Sequence, residues 1–401
     1  MIDFHTVGTT GFGEISRGAA IQRDMMYLRE ARSFASALLP DVHAARVESL
    51  GNGVAGVMRA GKAGIHAIGA AYASLTGITT KSGIKQIDRL LSNDKVDLDE
   101  VLAEWVKFVV SEREEMVVAL DWTDFEDDDH VTLCAYTATS HGRATPLVWR
   151  TVKKSELRGR RTATEHAVIE MLHRFVDPKV RLTLLADRGF GDRQLYELLA
   201  MYGWDFVIRF RGSILVTHDG TTRPAKEWIS ANGRALMLKD VGVTDAKSPV
   251  AAVVVVHDKK MREGWCLATS LRTLRAAEVV KLYGRRFTIE ESFRDAKDLH
   301  FGLGLNATHI RDAARRDRLL LLIALAIALL TMLGAAAEKT GLDRMLKANT
   351  VAKRTHSLFR QGLMLWDRIP NEKEERLLML IQAFDEIVRE HGVFRSAFGI
   401  L

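Results

Sequence analysis

The sequence predicts a mixed α/β fold, and three observations predict it. A long amino-terminal stretch of helical periodicity gives way near residue 113 to three short strand-like runs joined by tight turns. A fourth, buried-looking strand then follows one helical stretch and precedes another. Beyond it, Trp204–Ser270 is strand-rich before helical periodicity resumes.

Each element has a local reason. Lys81–Asp94 (KSGIKQIDRLLSND) places Ser82 where a helix N-cap belongs, ahead of an amphipathic segment, and DLDEVLAEWVKFVVSE continues in helical period. EEMVVALDWTDF (Glu114–Phe125), HVTLCAYTATS (His130–Ser140) and RATPLVWRTV (Arg143–Val152) read as a β-meander. A basic loop and the helical ATEHAVIEMLHRFV lead to the strand VRLTLLADRGF and the helix GDRQLYELLAMYG. Three strands followed by alternating helix and strand are the pattern of a ribonuclease-H-like core, a mixed sheet flanked by helices. WDFVIRFRG, ILVTH, PVAAVVVVHD and EGWCLATS read as a β-rich insertion in that core. The expected organisation is a helical region over 1–112, a core over 113–204 and 271–340, the insertion over 205–270, and a helical carboxy-terminal region over 341–401.

Composition narrows the classes. With 401 residues and 47% hydrophobic content the chain can bury a sizeable core in several domains. A net charge of +6 suits a nucleic-acid partner without demanding one. Cys134 and Cys266 are the only cysteines, which excludes a disulfide framework and points to a reducing compartment. No cleavable signal is visible in MIDFHTVGTTGFGEISRG. Leu319–Ala337 has the length of a membrane span and no charge, but it stands alone in soluble patterning and reads as a helix buried in a large core.

Tyr283–Lys297 (YGRRFTIEESFRDAK) concentrates unusual chemistry. At about 100° per residue, Tyr283, Arg286, Glu290, Arg294 and Lys297 share an arc of about 80°, while Leu282, Ile289, Phe293 and Ala296 form an apolar stripe. Glu291 and Asp295 point elsewhere. The shared face reads either as a surface ladder of i,i+4 pairs or as a metal-binding carboxylate among cations that hold a polyanion. Asp121 and Asp187, each at the end of a strand, supply the further carboxylates that the second reading needs. Three converging carboxylates suit magnesium or manganese, which prefer hard oxygen ligands, and a metal pair promotes phosphoryl transfer.

The spacing of Tyr283, Arg286, Glu290 and Lys297 resembles the Y-R-E-K signature of bacterial cut-and-paste DDE transposases of the insertion-sequence-four group, with every interval kept. VVALDWTDF, SHGRATPL, LLADRGF, LATSL and FGLGLNATHIR resemble the family in the same order. The resemblance implies that Asp121, Asp187 and Glu290 are a catalytic triad holding two Mg2+ ions, for which Mn2+ substitutes. Asp124 and the acidic turn Glu126–Asp129 are then a solvated hairpin end. Tyr283, Arg286 and Lys297 would grip phosphates, with Arg294 on the same face. Trp265 would stack on a base flipped from the DNA end, and Phe287 would push into the vacated stack. The implied partners are double-stranded DNA, as terminal inverted repeats and target, and a second copy of the chain in a homodimer. The implied place is the bacterial cytoplasm, at the nucleoid. The rival reading is a catalytically inactive DNA-binding repressor derived from a transposase.

Further cations are candidates for the DNA backbone. RTVKKSELRGRR (Arg150–Arg161) carries six cations against one Glu and follows a core strand, so Lys153, Lys154, Arg158, Arg160 and Arg161 are expected at phosphates. In the amino-terminal region Lys81, Lys85 and Arg89 are expected to meet the inverted repeat.

Overall fold

The computed structural model describes residues 28–138, 143–348, 350–351 and 353–389. The Met1–Gly18 stretch, Ser140–Gly142 of the quoted motifs and the end of the carboxy-terminal region lie outside the described residues.

Five helices come first: α1 (28–38), α2 (Ala44–Ala60), α3 (Ile65–Thr76), α4 (Thr80–Leu91) and α5 (Leu98–Val110). The cap of α4 is Thr79, whose hydroxyl accepts from the Ser82 N–H at 3.2 Å, so Ser82 lies inside the helix rather than at its cap. The chain turns between α3 and α4 within three residues, and the two helices meet backbone to backbone. A Cβ on Gly69 would come within 2.4 Å of the Ile84 Cα, and one on Gly83 within 2.2 Å of the Gly69 carbonyl. Only glycine permits that approach, and the result is a helix–turn–helix pair.

The sheet follows. β1 (Glu115–Phe125), β2 (His130–Ala138) and β3 (Ala144–Lys153) form the expected antiparallel meander. α6 (Arg161–Phe175) carries the chain to β4 (Arg181–Ala186), which runs parallel to β1 in register from Glu115↔Arg181 to Leu120↔Ala186. α7 (Arg193–Met201) leads to β5 (Asp205–Phe210), parallel to β4. This is the mixed sheet of a ribonuclease-H-like core. Every residue of β2 is buried, as befits a strand covered on both faces.

β6 (Leu215–His218), β7 (Thr221–Pro224), β8 (Leu236–Val243), β9 (Ser248–Val256) and β10 (Trp265–Thr269) complete the strands among the described residues. They make no separate layer. The sheet is continuous and ten-stranded, in the order β3-β2-β1-β4-β5-β10-β9-β8-β6-β7. β5, grouped in the sequence with the later strands, lies between β4 and β10, and β10 adds the rest antiparallel along its edge. The β3 rim is covered at its start: the Ser292 hydroxyl accepts from the Ala144 N–H at 2.7 Å and donates to the Ala144 carbonyl at 2.9 Å. The Trp105 indole donates to the Pro146 carbonyl at 2.7 Å.

The Y-R-E-K segment is not one uniform helix. α8 (Ala276–Gly284) tightens into a 3-10 turn, Arg285–Phe287, before α9 (Thr288–Lys297). A 3-10 turn advances about 120° per residue, so the uniform wheel misplaces the groups beyond it. The carboxy-terminal helices are α10 (Ala313–Thr340), α11 (Leu358–Arg368) and α12 (Glu374–Arg389).

The chain divides into two compact units, one comprising residues up to Val101 with Asp295 onward, the other Leu102–Arg294. The division falls inside the 271–340 segment assigned above to the core, because α10 packs against α2, α11 and α12. By length and composition α10 could cross a membrane. In the structure Leu319, Leu322, Leu325, Leu329, Met332 and Ala336 are all buried, so protein covers the apolar run. Its first two turns are moored by cations: Arg315 reaches the Asp88 carboxylate at 2.6 Å, and Arg318 the Leu91 carbonyl at 3.0 Å and Asp94 at 3.1 Å. These groups lie at and just beyond the end of α4, where a helix favours positive charge.

The crossing of α10 with α11 is as close as that of α3 with α4. A Cβ on Gly362 would fall 1.8 Å from the Leu330 carbonyl, and one on Gly334 2.0 Å from the Leu358 carbonyl. Gly362→Ala is therefore expected to force the helices apart and cost at least about 1–3 kcal/mol, read as a lower midpoint in urea unfolding. An unchanged midpoint would mean that the crossing is looser than described.

Candidate active site

Two strands and one tightened helix build the site. The β1–β4 ladder ends at Leu120↔Ala186, so the next residue of each strand, Asp121 and Asp187, emerges on the same rim of the sheet. Asp187 follows β4 directly, as expected. Asp121 is not at a strand end: β1 continues to Phe125, paired there with β2 alone, and Asp121 stands opposite Cys134. Backbone donors orient both carboxylates, the Trp122 N–H to Asp121 Oδ1 at 2.9 Å and the Gly189 N–H to Asp187 Oδ1 at 2.8 Å.

Arg286, on the 3-10 turn, links the strands to α9. Its Nη1 donates to Asp121 Oδ2 at 2.7 Å and its Nη2 to Glu290 Oε1 at 3.4 Å. The Arg286 side chain is 10% exposed and that of Asp121 19%, whereas Glu290 is 55% exposed and open to a ligand. Burial pushes the Asp121 carboxyl above the usual range, Arg286 opposes that push, and the charge of Asp187 adds to it. Burial works against the charged form of Arg286, but Asp121, Tyr283, Asp187 and Glu290 together hold its guanidinium above its ordinary value. Tyr283 is buried beside it, its phenol pushed up by burial and drawn back by Arg286.

An aromatic cluster adjoins these charges. The Trp265 ring meets Tyr283 edge-on at 5.0 Å and Phe287 at 5.8 Å. Phe287 is 42% exposed and Trp265 half-buried, so neither is a fully buried core ring. The Arg286 guanidinium lies 5.4 Å from the Phe287 ring.

The remaining candidates disperse. Arg294 is exposed and pairs with Glu291 at 3.0 Å, not with Glu290, so the second rung of the alternative ladder reading is replaced by an i,i+3 contact. Glu291 also meets Arg143 at 3.5 Å, which occupies it away from the carboxylates. Lys297 closes α9 as a half-buried residue of the helical unit. In the basic loop Lys153 pairs with Glu156 at 3.4 Å and Lys154 with Asp124 at 3.1 Å, while Arg158 and Arg160 are exposed. The acidic hairpin end is also tied to the basic loop: Asp129 accepts from the Ser155 N–H at 3.1 Å and from its hydroxyl. Lys81, Lys85 and Arg89 form an exposed i,i+4 stripe on α4, with Gln86 exposed beside them.

One group in this region was not singled out from the sequence. Glu165 of α6 is 3% exposed and accepts from the Trp122 indole at 2.8 Å and from Arg161 Nε at 2.9 Å. Burial pushes its carboxyl up, and its two donors pull the other way. Its i,i+4 spacing from Arg161 was the one readable sign.

Among the described residues no three Asp, Glu, His or Cys side chains are gathered closely enough to hold an ion. The donors are carboxylate oxygens, the ligand chemistry a hard cation prefers, and a positive group, the Arg286 guanidinium, bridges Asp121 and Glu290. Residues 149–329 match the family model described as Transposase DDE domain. The match takes in Asp187 and Glu290 and begins after Asp121. It supports a DDE transposase, a class that acts on DNA and generally uses divalent metal ions. No curated protein matches the chain.

Arg286→Met would leave the Asp121 carboxylate without its cation. In metal-free buffer at neutral pH the loss of stability is expected to approach, from below, the roughly 3–5 kcal/mol of a fully buried pair. The sign of its pH dependence follows from the upward shift at Asp121. A folded-state value raised above the unfolded one gives stability that is complete below the unfolded value and is lost as pH rises through the folded value. Without Arg286 that shift grows, so the deficit should be small near pH 3.5 and widen toward neutrality. Denaturation midpoints against pH measure it; a deficit independent of pH would separate Arg286 from the charge of Asp121.

Proposed function

We propose that the chain is a cut-and-paste DNA transposase of the insertion-sequence-four group, similar to the transposase of the insertion sequence flanking transposon Tn-ten. The observation that carries the reading is the Arg286 bridge from Asp121 at the sheet rim to Glu290 on α9, with Asp187 emerging beside Asp121. In this reading Asp121, Asp187 and Glu290 hold two Mg2+ ions, or Mn2+ in their place. Bound there, the ions would supply a nucleophile at neutral pH and stabilise the leaving oxygen.

The chain's own residues bind and orient. Arg286, with Tyr283, would turn from the carboxylates to the phosphates near the cleaved end, where a planar fork can donate to two oxygens. Lys297 would add a point charge. Water would break one strand and free a 3′-hydroxyl. That hydroxyl would attack the opposite strand, closing a hairpin on the transposon end and releasing the flanking DNA. Hairpin opening and strand transfer into target DNA would follow at the same site.

Recognition of the inverted repeats falls to the amino-terminal helices, over 1–112. The helix–turn–helix pair supports this, because α4 exposes Lys81, Lys85 and Arg89 in one stripe with Gln86 among them, a face suited to a groove and its phosphates. The core over 113–204 and 271–340 would do the chemistry, the insertion over 205–270 would present Trp265, and the region over 341–401 would supply a contact between two copies on paired ends. The site of action would be the bacterial cytoplasm, at the nucleoid.

A plasmid bearing the element's ends, incubated with and without magnesium, tests the reading. Asp187→Ala should bind the ends but make no nick, hairpin or joined product. Glu290→Gln should also abolish cleavage, while Glu291→Gln, engaged by Arg143 and Arg294, should retain most of it. Metal-dependent nicking by Asp187→Ala or Glu290→Gln would sink the triad.

Trp265 separates nicking from hairpin formation. If it receives a flipped base, Trp265→Ala forfeits roughly 1–3 kcal/mol of stacking, and nicked ends accumulate while hairpins become scarce. A normal ratio of hairpins to nicks would make Trp265 a structural partner of Tyr283 alone.

A further inference from the structure

Glu165 binds two donors with one oxygen, and each donor belongs to the rim of the site. Oε1 accepts from the indole of Trp122, the residue after Asp121, and from Nε of Arg161. Arg161 engages the carboxylate through Nε, so its outer edge is not used by this contact. The guanidinium is also bracketed by rings, 5.4 Å from Trp122 and 5.9 Å from Phe190. It makes these contacts while the Arg161 side chain remains 48% exposed.

Its location is marked by Gly189. A Cβ there would lie 3.0 Å from Asp187 Oδ1 and 3.2 Å from Arg161 Nη2, so the carboxylate and the guanidinium border one gap that the missing side chain keeps open. Only the Glu165 carboxylate is enclosed, and the cation is presented to solvent beside a strand-end aspartate.

We propose that Glu165 is a positioning residue that holds Arg161 as a fixed clamp for a DNA phosphate adjoining the Asp187 carboxylate. The inference rests on the transposase reading. The ligand it names is one phosphate of the duplex backbone, which Arg161 meets with both terminal nitrogens, a geometry lysine cannot reproduce. Holding the cation rigid before DNA arrives avoids the ordering cost of a free arginine side chain.

The test uses the full chain and a duplex of the terminal repeat bordering the element that encodes it. Affinity is measured across a salt series without metal, and nicking is measured with Mg2+. Arg161→Ala should lower the slope of log K against log salt by about one, the signature of a lost phosphate contact, and should slow nicking about tenfold or more. Glu165→Gln keeps an acceptor for the Trp122 indole but weakens the grip on Arg161, so nicking should slow in the same direction. The double variant should then be no worse than Arg161→Ala alone. An unchanged salt slope in Arg161→Ala, or single effects that multiply in the double variant, would overturn the proposal and leave Glu165 a structural part of α6. Failure of the unaltered chain to bind or nick the duplex would strike the transposase reading itself, which keeps the two failures distinct.

Discussion

The parallel pairing of β1 with β4 is the constraint from which the site follows. Parallel neighbours need a crossover connection, here through α6, and in return both strands reach the same rim together. Had β4 run antiparallel, Asp187 would leave the sheet at the rim opposite Asp121. The ladder also stops at the useful place. β1 goes on beyond Leu120 supported by β2 alone, so Asp121 has a rigid backbone on one side and an opening where β4 has ended.

Bringing two carboxylates to one rim is costly unless positive charge comes with them. The 3-10 turn supplies it by swinging Arg286 out of α8 toward Asp121 while keeping it within reach of Glu290. The same turn leaves Phe287 exposed beside Trp265, so a single local tightening of the helix arranges both the charged and the aromatic parts of the site. Glu291, one residue from Glu290, is diverted to Arg143 and Arg294, and adjacent glutamates thereby acquire different surroundings.

What could be read beforehand was what short-range chemistry writes. The meander, the strand-end position of Asp187 and the apolar character of α10 are visible in runs of a dozen residues or so, where periodicity is decisive. The ribonuclease-H-like pattern followed from their order. The positions of Asp121 within β1 and of β5 between β4 and β10 were not legible, since both depend on which strands pair. The same holds for the contacts that organise the site: Arg286 meets Asp121 across 165 residues and Trp122 meets Glu165 across 43. The uniform helical wheel failed at Arg285–Phe287, because sequence periodicity carries little sign of a three-residue tightening. Within α9 the i,i+4 spacing allowed a Glu290–Arg294 pair as one reading, and the structure pairs Arg294 with Glu291 instead.

An open sheet of ten strands has two rims, and unprotected rims invite other chains to add a strand. At the β3 rim the Ser292 hydroxyl engages both the N–H and the carbonyl of Ala144, and the Trp105 indole takes the carbonyl of Pro146, which has no N–H to offer. At the other rim β7 is only four residues long and ends on Pro224. The residues that fasten α5 and α9 to the sheet thus also act as stoppers against runaway strand-to-strand association. At high local concentrations of the chain, these stoppers disfavour the fusion of one copy's sheet with another's.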